Sequence, residues 1–216
     1  MQNSAEIRWF WRQSPSTKTL LTWFKSRSCH DFQAGGGELR SDIYLSDPNQ
    51  NELGIKRRGL GPGVEVKGLV CIRKRKITLT LFEHRVEIWT KWKTNAIKVN
   101  KSATVKMKKL RWLRKFDTTG KSPFEIKLNR KELPIKKTPL PEQGCNVEFT
   151  VITMSGGEIW HSFGFEAFGP FNTLESSLLA SITVLARRKL VLPKGAIEAS
   201  YPMWLHLFVP PKTLPT

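Results

Sequence analysis

Between residues 56 and 140 cations recur at alternate positions along segments that read as β-strands. This pattern constrains the fold more than any other feature of the chain. The stretch holds 25 Lys and Arg against 6 Asp and Glu, an excess of +19. Residues 1–55 balance at 6 basic and 6 acidic, and residues 141–216 carry 5 basic and 6 acidic. The net charge of +18 therefore comes from one segment. Successive side chains of a strand point to opposite faces, so alternate cations share a surface. A surface of one sign repels itself unless a polyanion sits on it.

At 216 residues the chain is long enough to bury a core as one domain. Its 8 Trp and 12 Phe argue against a disordered basic tail, a class poor in aromatics. No apolar run approaches the roughly 20 residues that span a membrane. The segment from Met1 to Phe10 lacks the charged-then-apolar pattern of a signal peptide. The expected location is cytoplasmic, with no membrane partner. Cys29, Cys71 and Cys145 lie far apart, matching neither a disulfide framework nor paired zinc spacing.

Punctuation along the chain sorts it into elements. Glu6 to Trp11 alternates polar and aromatic residues and reads as a first strand. Thr17 to Phe24, with Leu20, Leu21 and Phe24 at helical spacing, reads as a short helix capped by Ser14 or Ser16. The glycines at 35–37 mark a loop. Strands follow at Leu39 to Ser46, closed by a turn at 47–49, at Leu53 to Arg58, closed by Gly59 to Gly63, and at Val64 to Arg73. Thr78 to Thr94 holds another long strand, and Thr104 to Phe116 a further one. Residues 121–141, rich in Pro and Lys, read as a basic excursion. Val147 to Met154 and Glu158 to Phe168 form a hairpin around Ser155-Gly156-Gly157. Leu174 to Leu190 carries apolar residues at the spacing of an amphipathic helix, and a Pro- and Trp-rich tail follows within 172–216. The expected fold class is α+β: an antiparallel closed or nearly closed β-barrel of about eight strands with flanking helices. The alternative is a two-layer domain with helices over one face of an open sheet.

Parity then aims the charges. Glu6 and Arg8 share a face opposite Ile7, Trp9 and Trp11. Lys56 and Arg58 share one, as do Glu65 and Lys67. Arg85, Glu87, Trp89, Lys91 and Lys93 form a row. Lys109, Arg111 and Lys115 align with Val105 and Met107, while Lys106 and Lys108 face the other way. For any single lysine a solvated outer face is the simpler reading. For the set it is weaker, because solvated faces mix signs. If the sheet curls closed, the charged face becomes a lining that suits phosphates, which take several charge-assisted bonds at once. Acids beside the cations could hold a divalent ion through oxygen.

Other signals carry less. Cys29-His30-Asp31 is a local triplet, not how a cysteine hydrolase site is built. His161, beside Trp160 and Phe163, reads as packed. The run from Gly59 to Gly63 contains Pro62 and joins two strands, so it is no dinucleotide fingerprint. Arg73 to Lys76 reads as a solvated turn ahead of a localisation cluster. Trp89, Trp92 and Trp112 among lysines suit packing ahead of base stacking.

The order Glu6-Ile-Arg-Trp, Arg40-Ser-Asp-Ile-Tyr44, Leu53-Gly-Ile-Lys56-Arg-Arg58 and Val64-Glu-Val-Lys67-Gly68 resembles the CYTH, or triphosphate tunnel metalloenzyme, superfamily. Lys91-Trp-Lys93, Lys109-Leu-Arg111, Val147-Glu148-Phe and Phe165-Glu166-Ala continue the resemblance, which spans roughly residues 5–168. It implies a CYTH-like tunnel domain over 1–216, binding of triphosphate or polyphosphate-containing ligands, and hydrolysis with Mg²⁺ or Mn²⁺. It further implies phosphate contacts from Arg40, Lys56, Arg58, Lys67, Lys91, Lys93, Lys109 and Arg111, and metal ligation by Glu6, Glu148 and Glu166; Arg8 joins the phosphate contacts if its position has switched from metal to anion. The family's opening E-x-E-x-K is here Glu6-x-Arg8-x-Phe10, and the first Arg of its Arg-rich strand is Gly54. An arginine in a metal position sets a fixed positive charge where a dication belongs. The sequence thus leaves three readings open: a phosphohydrolase, a non-enzymatic binder of nucleic acid or other polyanions, and a basic domain that docks on an acidic protein.

Overall fold

The computed structural model describes residues 1–26, 28–29, 37–45, 51–59, 61, 63–78, 82–97, 104–129, 132–135, 139–186 and 190–208. The glycine loop before residue 37, the turn at 47–49, parts of the Gly59–Gly63 loop and of the 121–141 excursion, and the tail beyond 208 lie outside the described residues. The strands are β1 (Gln2–Trp11), β2 (Glu38–Leu45), β3 (Leu53–Arg58), β4 (Val64–Lys76), β5 (Glu83–Thr94), β6 (Thr104–Asp117), β7 (Phe124–Ile126), β8 (Gly144–Met154), β9 (Ile159–Phe168) and β10 (Ile197–Glu198). The helices are α1 (Ser16–Lys25), α2 (Leu174–Ala186) and α3 (Tyr201–Phe208).

Eight strands follow one another in the order β1-β5-β4-β3-β2-β6-β8-β9, and β9 returns to pair with β1 from Ser4↔Phe168 to Trp11↔His161. The sheet is therefore a closed antiparallel barrel, and the open two-layer alternative falls. β7 and β10 are additions, on β6 and on the end of β1. Closure follows from the register: β1 gives one edge to β5 and then β10, and its other edge, from Ser4 to Trp11, to β9.

The barrel carries its apolar face outward. Ile7, Trp9 and Trp11 of β1, Val147 and Phe149 of β8, and Phe163 and Phe165 of β9 pack against Leu20 and Phe24 of α1 and against Leu174, Leu178, Ile182 and Leu185 of α2. Each such side chain contributes on the order of 1.5–3 kcal/mol by leaving water. The main core lies between barrel wall and helices, so the bore is free to be polar.

Several local expectations meet corrections. The α1 cap falls on Pro15, which offers no side-chain cap; Ser14 serves the helix start from one residue before, its O accepting from Thr17 N at 3.0 Å and its Oγ from Ser16 N at 3.4 Å. Proline suits that place because an N–H at a helix start has no helical partner to lose. Arg73 to Lys76 belong to β4, not to a turn: β4 continues past an irregularity at Leu69/Cys71, and Arg73 bonds Glu175 at 3.0 Å. α2 is described to Ala186, with residues 187–189 outside the described set. The 121–141 excursion returns to the sheet through β7.

The largest difference is the tail. It folds into β10 and α3, and α3 stops one end of the bore. Phe10, Tyr44, Met107, Ile152 and Trp160 point inward there and pack with Trp204 and Leu205. Trp204 stacks on Phe10 at 4.8 Å and 4°. The segment has no readable period because it is apolar almost all round, as a short buried helix is.

Candidate anion-binding tunnel

Beyond the plug the inward faces turn charged and line a cavity of about 70 Å³ that opens to solvent. Every strand of the ring contributes. β1 supplies Glu6 and Arg8, β2 Arg40 and Tyr44, β3 Lys56 and Arg58, and β4 Glu65 and Lys67. Lys91 comes from β5, Lys109 and Arg111 from β6, Glu148 from β8 and Glu166 from β9. Of the twelve residues the resemblance points to, only Lys93 is not in this lining. It sits in an adjoining recess with Trp92, Arg58, Glu65 and Lys91.

Sequence reasoning missed three participants: Glu65 as a wall residue, Tyr44 and Tyr201. Parity placed Glu65 on the Lys67 face, a signal that could have found it. Tyr201 had none, since α3 was unread. Its ring lies 3.6 Å from Lys109 Nζ and 5.0 Å from the Arg8 guanidinium. The Tyr44 hydroxyl accepts from Lys109 Nζ at 2.6 Å.

The four cavity acids are all engaged by cations. Arg8 Nε donates to Glu6 Oε1 at 3.0 Å, and Arg8 Nη1 to Glu148 Oε1 at 2.8 Å. Lys67 also bonds Glu6, and Lys91 bonds Glu166. Arg111 Nη1 reaches Glu148 Oε2 at 3.2 Å, and Lys56 Nζ lies 2.9 Å from Glu65. Lining cations number eight (Arg8, Arg40, Lys56, Arg58, Lys67, Lys91, Lys109, Arg111) against four glutamates, a surplus of four positive charges. Three acids outside the lining also meet these cations: Asp42 lies 3.4 Å from both Lys109 and Arg40, and Arg111 bonds Glu38 at 2.7 Å as well as Glu132.

Titration follows these neighbours. Burial would raise Glu148, but Arg8 and Arg111 outweigh it and hold the carboxyl well below the usual range. Burial likewise opposes Lys56 and Arg58 at Glu65, yet the two cations bring it to about 2. Lys56 is pushed down to about 8, by burial first and then by Arg58. Burial, Arg40 and Lys56 also depress Lys109, against the pull of Asp42.

The acids do not fit a divalent metal. Among the described residues no group of three or more His, Cys, Asp or Glu is arranged to hold one. Glu6 and Glu148 instead share the guanidinium of Arg8, which is 4% exposed. A dication ~4 Å from that charge meets roughly 8 kcal/mol of repulsion at an effective dielectric of ~20.

Two of the departures noted in the sequence, Phe10 and Gly54, meet the plug. Phe10 is Trp204's stacking partner. A Cβ at Gly54 would lie 2.9 Å from Pro202 Cγ, so α3 occupies the space of a side chain there. The discounted signals stay outside the cavity. His161 is buried and stacks on Trp11 at 5.8 Å. The Cys29 thiol, raised to about 11 by burial and Glu125, is no ready nucleophile, and His30 and Asp31 lie outside the described residues. Trp89 and Trp112 are buried, as expected of packing residues, while Trp92 is 39% exposed. No described helix is long and apolar enough to cross a membrane.

No family model and no curated protein sequence matches the chain. Among solved structures it is similar to the RNA triphosphatase domain of a trifunctional mimivirus mRNA capping enzyme. The TM-score is 0.43 at 11% identity, over 86% of this chain and 90% of that one.

Proposed function

We propose that this chain binds triphosphate or polyphosphate-containing anions inside the barrel. The observation that supports it is the convergence of eight cations from six strands on one cavity whose lining holds four acids. Arginine forks and lysine ammonium groups on several walls suit an anion with oxygens on all sides. Hydrolysis with Mg²⁺ or Mn²⁺ is not the reading the geometry favours, because the carboxylates that would ligate the ion are spent on cations.

Binding along a nucleic-acid strand fits less well. The eight lining cations face inward and α3 stops one end of the bore, so a strand cannot thread through and only a phosphate-bearing end reaches the cavity. The test is calorimetric titration with tripolyphosphate and with a long single strand lacking a terminal triphosphate. The expected result is one saturable tripolyphosphate site that Lys67→Ala and Lys91→Ala each weaken. A strand that binds while tripolyphosphate binds weakly or not at all and cannot displace it sinks the tunnel reading. Phosphate release that depends on Mn²⁺ and disappears in a Glu148→Ala/Glu166→Ala variant restores the hydrolytic one.

A further inference from the structure

Arg8 is built firmly into the wall. It lies between two carboxylates, with Nε on Glu6 at 3.0 Å and Nη1 on Glu148 at 2.8 Å. Nη1 also reaches Ser162 Oγ at 3.3 Å, and the Tyr201 ring covers the guanidinium at 5.0 Å. The facing strand makes room for it: a Cβ on Gly164 would lie 3.1 Å from Arg8 Cβ and Cγ. So five residues on four elements (β1, β8, β9 and α3) are shaped around one side chain. A guanidinium has more N–H donors than these three contacts use, and Arg8 lines the cavity, so donors remain for a ligand.

We infer that Arg8 is the resident cation of this site, standing between Glu6 and Glu148 where a divalent ion would otherwise be held, and that the cavity takes its phosphate ligand free of metal. A guanidinium so placed does two things. Together with Lys67 on Glu6 and Arg111 on Glu148 it offsets the two carboxylates, which would otherwise repel a phosphate, and it offers directional donors that need no bound water. The ligand half of the inference rests on the proposed function; the metal half does not.

Two measurements on the wild-type protein separate them. Mn²⁺ titration followed by electron paramagnetic resonance, without phosphate, reads the metal half. The expected result is that the free-ion signal stays undiminished; stoichiometric uptake of Mn²⁺ that a Glu148→Gln variant loses overturns it. Tripolyphosphate titration in EDTA and in millimolar Mg²⁺ reads the ligand half. Affinity is expected to be equal, or weaker with Mg²⁺ because the ion sequesters free ligand. An affinity about tenfold or more tighter with Mg²⁺ overturns the inference. No binding in either buffer sinks the proposed function, and the Mn²⁺ arm still decides the role of Arg8. An Arg8→Gln variant, which removes the fixed charge between the two carboxylates and leaves Glu6 on Lys67 and Glu148 on Arg111, is expected to gain Mn²⁺ binding that Arg8→Gln/Glu148→Gln lacks.

Discussion

Arg8 Nη1 and Glu148 Oε1, 140 positions apart in the chain, meet at 2.8 Å across the closed seam of the barrel. β1 and β8 are not neighbours in the ring: β9 lies between them, with Gly164 opposite both residues. The contact passes over a position without a side chain.

Removing one partner leaves the other charged and buried. Glu148→Ala is expected to cost about 3–5 kcal/mol and to lower Tm by roughly 10 °C. Saturating tripolyphosphate should recover part of the loss, since a phosphate oxygen can take the vacated place on Arg8. Thermal denaturation with and without ligand checks both; an unchanged Tm contradicts the buried pairing.

Lys56 sets a pH dependence. Its value of about 8, below the ordinary 10.5, reflects burial and Arg58. Folding disfavours its charged form, so its contribution is destabilising below pH 8 and is relieved as pH rises toward 10.5. Phosphate binding favours the charged form. Affinity should therefore fall as pH rises through about 8, with proton uptake on binding. Lys56→Arg should abolish this component, and comparing the two proteins cancels titration of the ligand. Calorimetry in buffers of different ionisation enthalpy reads the proton directly.

Glu132 competes with a ligand for Arg111. Its carboxylate bonds Arg111, which also holds Glu38 at 2.7 Å, and its backbone sits at φ 59° in the left-handed region. Burial, Glu38 and Glu148 together outweigh Arg111 and raise its carboxyl. Glu132→Gln is expected to tighten tripolyphosphate binding by about two- to fivefold, or ~0.5–1 kcal/mol. Weaker binding in that variant means that Glu132 supports the site.

The plug is testable through Gly54. With Pro202 Cγ 2.9 Å from the place of its Cβ, Gly54→Ala must displace a stiff ring. The expected cost is about 1–3 kcal/mol in urea denaturation. Pro202→Ala in the same chain should return most of it; additive losses would place the strain elsewhere.

Strand alternation, with a period of two, was enough to place the cations. From it the facing of Lys56, Arg58, Lys67, Lys91, Lys109 and Arg111 was legible, as was the opposite facing of Lys106 and Lys108, which are exposed on the outer wall. The Ser155-Gly156-Gly157 hairpin was legible too, with Gly157 at φ 85° and its N–H on Met154 O at 2.9 Å. Those features depend on neighbours in the chain. Whether the barrel closed depended on the pairing of β1 with β9, far apart in sequence, and no local pattern encodes it. α3 was invisible for the same reason: its apolar residues match the end of a bore that exists only once the ring is complete. The acids show the limit most plainly. Sequence order brought Glu6, Glu148 and Glu166 to the site, but only the three-dimensional position of the Arg8 guanidinium decided that a cation of the chain, not a dication, stands between Glu6 and Glu148.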